Sequence, residues 1–534
     1  MEIYRENILR GLQRAYLPVL NGYNAIFIPR GALKTALDRG VVRVYLQHLF
    51  SDLQPQELDS LVDYICPSEE TLCYCGDTHC TRGRIIFASL LQLGEERIIS
   101  PFHSSTDPRI CDTNLLLCEE TSTDENSLDP ASGTIPSPII RMPEEFDKLN
   151  PSTKDLFYHF QWQMRAPFIE RLNDDYANIN ERAPLPWTRF RYITTEKILG
   201  QLSRLAEISI DNWHHDLLLR SHTSLSEQDN QQKFALKIFE NCSEMDRIAA
   251  QKEIRLHRGA PEHDRIVQLL AAFRHRQNFH LILPWAEGGD LQDLWKKHTS
   301  PSEVPWYSAQ WVLDECHGIT ESIGAIHLPQ EVQHPGLSRS ALIHTDIKPE
   351  NILCFRQRTV EGNGEEASYT LKLADFGSAV HVDMNTTFTS QRVAHTKTYR
   401  PPEHDVPGNI SAKYDIWCLG CLYLDFVTWA IRGWEGVQRF EENRLQRRDS
   451  RLTKAWGHLE EDTFFNKMPK RPRVTSSVMP RFVKRFEWVR SRNAPSTDTS
   501  TMELSKDFLT GFRRMGYRID YVVKDKVQEV CDPR

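Results

Sequence analysis

The chain has 534 residues, of which 40% are hydrophobic and 26% charged, a composition typical of globular proteins that excludes disorder throughout. Its 65 basic and 73 acidic residues give a net charge of −8, which provides no cationic field for bulk binding to nucleic acid or membrane surfaces. The twelve cysteines are too sparse for a disulfide scaffold, and the N-terminus lacks the features of a signal peptide. We therefore expect a soluble intracellular protein, cytoplasmic or alternatively nuclear, with no nucleic-acid or membrane partner. The oligomeric state is left open.

The chain is predicted to contain four consecutive regions. Residues 1–118 show apolar residues at spacings of three and four, which indicates a helical N-terminal region of unknown role. Residues 119–153 are acidic and rich in Ser, Thr and Pro, which favours an exposed linker or loop, and residues 154–189 are predicted to form a helical lead-in. In residues 190–530, short β-branched and apolar runs precede long helical patterns, an order typical of an α+β domain.

A group of metal-binding residue types lies in the N-terminal region. It comprises Cys66, Cys73, Cys75, His79 and Cys80, all within 15 residues. Thiolate and imidazole groups are the ligands that zinc prefers, but the spacing matches neither paired C-x2-C knuckles nor a C2H2 finger. A loop of reduced cysteines without a metal is the alternative, and the sequence leaves both open.

The most specific pattern is the run His344–Asn351, HTDIKPEN, followed by Asp375–Gly377, DFG. This ordered pair resembles the catalytic loop H-x-D-x-K-P-x-N and the D-F-G motif of eukaryotic Ser/Thr protein kinases. The resemblance implies a two-lobed α+β kinase fold, with a small β-rich lobe and a large helical lobe, preceded here by the helical N-terminal region. It also implies ATP and Mg²⁺ as cofactors and a protein substrate with a Ser or Thr acceptor.

The resemblance also implies a role for each residue of the motifs. Asp346 is expected to accept the proton of the substrate hydroxyl, and Lys348 to neutralise charge on the migrating phosphoryl group. Thr396 matches the threonine that bridges these two side chains. Asn351 and Asp375 are expected to supply oxygen ligands to the magnesium that bridges the phosphates.

Nucleotide-binding residues are implied upstream of the catalytic loop. The run Phe234–Lys237, FALK, resembles the V-A-I-K strand of the family, so Lys237 is expected to contact the α- and β-phosphates. Glu253 stands where the family has the glutamate that holds this lysine, and Glu244 is the alternative partner. If the chain has no kinase site, Lys237 and Glu253 are two unrelated surface charges.

The run FHLILPWAEGGDL resembles the last strand of the small lobe and the hinge. On this alignment Leu283 is the gatekeeper, and the carbonyl of Pro284 and the N–H of Ala286 are expected to bind adenine. Asp290, after the hinge, is expected to meet the ribose.

The sequence departs from the family pattern at the glycine loop and beside the catalytic aspartate. Where the family has G-x-G-x-x-G, this chain has Gly200–Leu205, GQLSRL, so that only Gly200 is retained and Leu202 and Leu205 are expected to obstruct the phosphate lid. Thr345 replaces the arginine of H-R-D, which in relatives receives a phosphorylated activation loop.

The function favoured by the resemblance is transfer of the γ-phosphate of ATP to Ser or Thr of proteins. A pseudokinase scaffold is the first alternative, because the glycine loop is degraded. An enzyme for small-molecule hydroxyls is the second, and the runs Pro401–Glu403 and Asp415–Gly420, which match the family's A-P-E and D-x-W-x-x-G elements, argue against it. Strings in the N-terminal half, IFASLLQLG and FYHFQWQMRAPF, resemble large kinase-like groups of filamentous fungi.

Overall fold

The structure is a computed structural model that divides into two compact units, Met1–Asn241 with Leu270–Ile282 and Cys242–Leu269 with Leu283–Arg534. The residues that it describes are 2–17, 27–67, 73–77, 79–105, 109–116, 142–171, 176–193, 203–217, 231–240, 243–301, 304, 307–328, 340–357, 368–383, 388–389, 398–401, 409–446, 462, 464–470 and 473–478.

The first unit begins with the helical region that the sequence predicts. Its helices are α1 Glu2–Ala15, α2 Arg30–Ala36, α3 Arg39–Leu49, α4 Pro55–Ile65, α5 Arg84–Leu93, α6 Ile99–Ser104, α7 Glu144–Asp147 and α8 Pro151–Met164. Their apolar faces share one core, in which Tyr45, Phe87 and Phe157 are fully buried. Polar caps fix where helices begin: Asp38 accepts from Val41 N at the start of α3, and Asn150 accepts from Thr153 N at the start of α8.

The rest of the first unit is a six-stranded sheet. Its strands are β1 Ala177–Ile179, β2 Trp187–Tyr192, β3 Ser203–Asp211, β4 Gln231–Phe239, β5 Ala271–His275 and β6 Asn278–Pro284, the last of which ends in the second unit. The order is β1-β5-β6-β4-β3-β2, and β1 pairs with β5 in parallel. One face packs around Trp187, Ile208 and Leu236, each fully buried, so the alternating apolar residues of the central strands form the sheet core.

The segment predicted as a helical lead-in, residues 154–189, is helical only in its first part. Helix α8 ends at Met164, and strands β1 and β2 begin at Ala177 and Trp187. Proline explains the change, because Pro167 follows the helix closely and the run APLPW precedes β2. The division of the chain into domains stays a prediction.

The second unit is mainly helical. Its helices are α9 Glu244–Gly259, α10 Leu291–Lys297, α11 Ala309–His327 and α12 Lys413–Gln446, and its strands are β7 Ser340–Ile343, β8 Ile352–Arg356, β9 Tyr369–Leu373, β10 Val380–Asp383, β11 Phe388–Thr389, β12 Asn409–Ile410, β13 Phe465–Lys470 and β14 Arg473–Val478. The strands pair antiparallel as β7–β10, β8–β9, β11–β12 and β13–β14. With the sheet of the first unit, this confirms the α+β kinase fold class.

Helix α12 is the central helix of the second unit. Among the described residues, its stretch Lys413–Leu445 is long and apolar enough to cross a membrane by length and composition, but 61% of its most apolar window is buried. Trp429 is fully buried and its Nε1 donates to the carbonyl oxygen of His298 at 2.9 Å. The apolar run Trp417–Ile431 is therefore part of a core helix.

The helix is interrupted at Gly433, which has a φ of +66°. A Cβ at this position would collide with the carbonyl oxygen of Thr299, which accepts a hydrogen bond from Trp434 N at 3.1 Å. Both the left-handed backbone and the close approach therefore require glycine.

We expect Gly433→Ala to lower the free energy of unfolding by about 2 kcal/mol or more, because a left-handed alanine costs about 1–2 kcal/mol before the collision is counted. Gly420→Ala is the matched control, since a Cβ at Gly420 in the same helix meets no atom within 4 Å. Urea denaturation of both variants measures the difference. Equal stability of the two would contradict this account.

Candidate active site

The β8–β9 hairpin brings together the ends of two motifs that are separated in sequence. Asn351 directly precedes β8, and Asp375 lies two residues after the end of β9. Ile352 pairs with Leu373 in the hairpin, and the carbonyl oxygen of Asn351 accepts from Ala374 N at 2.9 Å. The two residues predicted as magnesium ligands therefore lie at the same end of one hairpin.

The catalytic loop is held together by contacts of Asp346. Lys348 Nζ lies 2.8 Å from Asp346 Oδ2. Asn351 Nδ2 donates to the same carboxylate oxygen at 3.1 Å and to the main-chain oxygen of Asp346 at 2.7 Å. The sequence-predicted base, cation and amide thus form one hydrogen-bonded group, as the motif implies.

The main chain of this loop is fastened by Asp415 at the start of α12. Its fully buried carboxylate accepts from His344 N and from Thr345 N, both at 2.8 Å. His327 Nε2, at the end of α11, lies 2.8 Å from the same carboxylate. The aspartate that begins the D-x-W-x-x-G match therefore fastens the main chain of the loop, and His327, which the sequence analysis did not single out, contacts the same carboxylate.

Asp375 and Phe376 point in different directions from one turn. Asp375 is exposed and has a φ of +63°, with its Oδ1 accepting from Gly377 N at 3.3 Å. Phe376 is fully buried, and its ring makes edge contacts with the rings of His257 and His344, each with a centroid distance of 5.2 Å. A left-handed residue between strand and turn thus exposes the carboxylate while it buries the phenyl ring.

His257 is a residue that sequence reasoning missed. It lies four positions after Glu253 in α9 and is 3% exposed, and its Nε2 is 3.8 Å from Glu253 Oε1. The i, i+4 spacing from the predicted glutamate could have shown that both side chains share one buried helix face.

The two glutamates considered as partners of the nucleotide lysine differ in burial. Glu253 is 5% exposed, and a Cβ at Gly377 would come within 3.0 Å of its Oε2, which places it beside the D-F-G turn. Glu244 is exposed at the start of α9 and pairs with Arg247 at 2.6 Å. Of the two, Glu253 has the buried position that a structural ion pair needs.

Thr345 adopts a φ of +68° and is 1% exposed. Its hydroxyl donates to the carbonyl oxygen of Ser378 at 2.9 Å. In place of a cation that would face a loop phosphate, the chain has a hydroxyl that connects the catalytic loop directly to the segment after the D-F-G turn.

The hinge residues Pro284 and Ala286 are half-buried and lead into α10. The following loop is fixed to β8, because Gly288 N donates to the carbonyl oxygen of Cys354 at 2.9 Å. Asp290 Oδ1 accepts from Asp293 N at 2.8 Å as the cap of α10, and burial raises the pKa of Asp290 to about 6. The Asp290 side chain therefore already caps a helix. Its expected contact with ribose stays a prediction.

The lysine that is predicted to bind nucleotide lies in the first unit. Lys237 is half-buried in β4, opposite Leu205 of β3, with its Nζ 5.9 Å from the centroid of the Phe239 ring. Leu205 lies in β3, and its carbonyl oxygen accepts from Ile193 N at 2.9 Å, so the β2–β3 pairing reaches this residue. Its expected obstruction of the phosphate lid stays a prediction. Gly200 and Thr396 lie outside the described residues.

The donor set at the end of the β8–β9 hairpin fits magnesium. Asn351 and Asp375 offer amide and carboxylate oxygens, the hard ligands that this ion prefers together with phosphate oxygens and water. The Asn351 amide is oriented by its two donated hydrogen bonds, which come from Nδ2 and so turn the nitrogen, not the oxygen, toward Asp346.

Comparison with known proteins was consistent with this geometry. Residues 223–486 match the sequence model of the protein kinase domain. The chain is 26% identical over 247 residues to the Serine/threonine-protein kinase PKH3 of Eremothecium gossypii, covering 43% of this chain and 30% of that protein. It is 34% identical over 170 residues to the Serine/threonine-protein kinase Aurora-1 of Arabidopsis thaliana, covering 31% of this chain and 45% of that protein. The chain thus spans less than half the length of these relatives.

Asp415→Ala should lower the free energy of unfolding of the second unit by about 2–5 kcal/mol, because two buried N–H groups lose a charged acceptor at about 1–3 kcal/mol each. Asp314→Ala is the control, since Asp314 is exposed on α11 and its Oδ1 accepts from the neutral side chain of Gln310 on the same helix. Chemical denaturation followed by tryptophan fluorescence provides the measurement. A loss no greater than that of the control would show that Asp415 does not fasten the loop.

Proposed function

Because the chain belongs to the eukaryotic protein kinase superfamily, we propose that it transfers the γ-phosphate of ATP to Ser or Thr hydroxyls of proteins in a magnesium-dependent reaction. The observation that carries the proposal is the hydrogen-bonded group of Asp346, Lys348 and Asn351, with Asp375 at the same hairpin end. A scaffold without phosphotransfer has no need to retain all four side chains in this arrangement.

In the proposed reaction, each side chain acts through a contact that is already formed. The Asp346 carboxylate orients the substrate hydroxyl and accepts its proton, and Lys348, 2.8 Å away, offers positive charge to the phosphoryl group. Asn351 and Asp375 would hold the metal. Magnesium-bound ATP supplies the phosphoryl group and the charge neutralisation that lets it leave.

The Ser/Thr specificity is supported by the lysine at position 348 in the catalytic loop and by the Ser/Thr kinases among the relatives. The residues that would bind nucleotide in this proposal are Gly200, Lys237, Glu253, Pro284, Ala286 and Asp290.

A pseudokinase is the second candidate, and the degraded glycine loop is the observation that favours it. Of the family's three glycines only Gly200 is present, so the loop offers fewer close backbone N–H donors to phosphates. ATP is then bound more weakly than by relatives with a complete loop, and the metal ligands become the main anchor of the phosphates.

Asp346→Asn should reduce the rate of phosphate transfer by about 100-fold or more, the usual contribution of a general base, while ATP and magnesium binding is retained. Asp375→Asn should instead abolish magnesium-dependent ATP binding, since it removes a metal ligand. Asp314→Asn, the same change at an exposed position, is the control for both. Calorimetric ATP titration with and without magnesium and a radiolabelled phosphate-transfer assay on a generic protein substrate separate the two effects.

Magnesium-dependent ATP binding without any transfer in the unmodified chain would favour the scaffold. Transfer that survives Asp346→Asn unchanged would contradict the assigned base.

Regulation is also part of the proposal. Because Thr345 brings no positive charge and bonds to Ser378, a phosphate on the activation segment lacks its usual partner. We therefore expect activity, if regulated, to depend on the N-terminal region or on expression.

A variant with Thr386, Thr387, Thr389 and Ser390 all changed to Ala should transfer phosphate at the same rate as the unmodified chain after phosphatase treatment of both. The reason is that no arginine lies beside Asp346, so no positive charge there has to be neutralised by a loop phosphate. Initial rates measured before and after dephosphorylation test this. A large loss on dephosphorylation, together with an inactive variant, would refute it.

A further inference from the structure

A second constellation lies in the helical part of the first unit, far in sequence from the kinase motifs. The sulfur atoms of Cys73, Cys75, Cys80 and Cys111 all lie within 4.8 Å of one another. The first three belong to the connection between α4 and α5, whereas Cys111 comes from the connection between α6 and α7. All four are free cysteines.

The set differs from the one that the sequence suggested. Cys66 is buried at the end of α4, where its Sγ donates to the carbonyl oxygen of Leu37 at 3.3 Å. His79 stacks on the ring of Phe168 with a centroid distance of 3.9 Å, and its Nε2 lies 3.1 Å from Glu170 Oε1. Both therefore have other contacts, and Cys111, which lies 31 positions after Cys80, completes the group.

The size of the cluster fits a single metal ion. A tetrahedral zinc ion with Zn–S bonds of about 2.3 Å places its four sulfurs about 3.8 Å apart, so the observed upper limit of 4.8 Å requires only a small contraction. Iron–sulfur clusters contain several metal and sulfide ions and hold their thiolates farther apart than one ion does. Four thiolates leave no position for water, which is the pattern of structural rather than catalytic zinc sites.

The loops around the cluster are tied together before any metal is considered. One oxygen of Asp77 accepts from His79 N at 2.8 Å and the other accepts from Thr113 Oγ1 at 2.9 Å, so this side chain joins the two connections. Asn114 Oδ1 accepts from Cys111 N at 2.7 Å. Gly76 has a φ of +78°, which turns the chain between Cys75 and Cys80.

The surroundings also match the charge of a four-thiolate zinc site, which is −2. Two buried cations are concerned. Burial lowers the pKa of Arg30 and Arg165, and the opposing charges are first Asp77 at Arg30 and Asp112 at Arg165, and then Cys80 at both. The Arg109 guanidinium, two residues before Cys111, lies 4.1 Å from the centroid of the Tyr74 ring. Arg30 and Arg165 thus interact electrostatically with Cys80, and they would offset part of the negative charge of a four-thiolate site.

We propose that Cys73, Cys75, Cys80 and Cys111 bind one zinc ion in a closed structural site that joins the α4–α5 connection to the α6–α7 connection. Each thiol loses its proton to solvent when it binds. The ion would supply a cross-link between the two connections.

The test uses the full chain, purified under reducing conditions from zinc-supplied cells. Elemental analysis should find about one zinc and no iron per chain, and zinc-edge X-ray absorption should find four sulfur neighbours at about 2.3 Å. Replacing zinc by Co²⁺ should produce the strong sulfur-to-cobalt absorption of a tetrahedral thiolate site.

Cys75→Ser is the principal variant, because Cys75 is exposed and its loss removes a ligand without opening the core. It should weaken zinc binding at least tenfold in competition with a chromophoric chelator, and Cys111→Ser should do the same. Cys66→Ser, a nearby cysteine outside the set, should keep one zinc with four sulfurs.

The proposal is overturned if the unmodified chain holds no zinc or if X-ray absorption shows fewer than four sulfur neighbours. It is also overturned if alkylation and mass spectrometry find these cysteines paired as disulfides. Retention of the coordination and affinity of the unmodified chain by Cys75→Ser would overturn it as well. If Cys111→Ser fails to fold, the absorption spectrum of the unmodified chain and the zinc titration of Cys75→Ser decide whether the proposal holds.

Discussion

The arrangement of the candidate active site depends on one buried carboxylate. Asp415 is fully buried and accepts hydrogen bonds from two successive main-chain N–H groups, those of His344 and Thr345. A carboxylate removed from water is costly unless its oxygens are satisfied, so the loop and the start of α12 stabilise each other. Because Asp346 follows directly in the chain, the position of the proposed base is determined by a residue that does not itself touch the reacting atoms.

Two residues of the site have a strained backbone, and one of them, Thr345, is held by Asp415. Thr345 and Asp375 both have positive φ, an unfavourable conformation for residues with a Cβ. Each is compensated by local hydrogen bonds: Thr345 bonds to Asp415 and Ser378, and Asp375 accepts from Gly377 N. The strained backbone turns neighbouring side chains to opposite sides of the chain. One residue can then face the candidate site while the next one packs in the core. The Thr345 hydroxyl donates to the carbonyl oxygen of Ser378 and so joins the loop before Asp346 to the segment after the D-F-G turn.

Zinc at the cysteine cluster would stabilise the N-terminal region through a cross-link of its own, independent of the kinase motifs. The region already has a hydrophobic core around Tyr45 and Phe87, to which Ile110 and Leu115 of the α6–α7 connection contribute. A metal cross-link can stabilise such connections, because the binding of one ion contributes the folding free energy that many apolar contacts would otherwise supply. Asp112, next to Cys111, accepts from Ile85 N and Ile86 N at 3.0 Å and so caps α5, which links the cluster to the helical core.

The sequence by itself determined the elements whose signals are local: the catalytic-loop string around Asp346, the D-F-G turn, the strand that carries Lys237 and the apolar core helix that begins near Asp415. Each depends on residue types at short spacings, which also specify the local backbone. Only the tertiary structure decided which distant residues meet. The rings of His257 and His344 both contact Phe376, and Cys111 joins the cysteine cluster in place of Cys66 and His79. Long-range packing brings these groups together, and a contact between segments far apart in the chain leaves no periodic pattern in either segment.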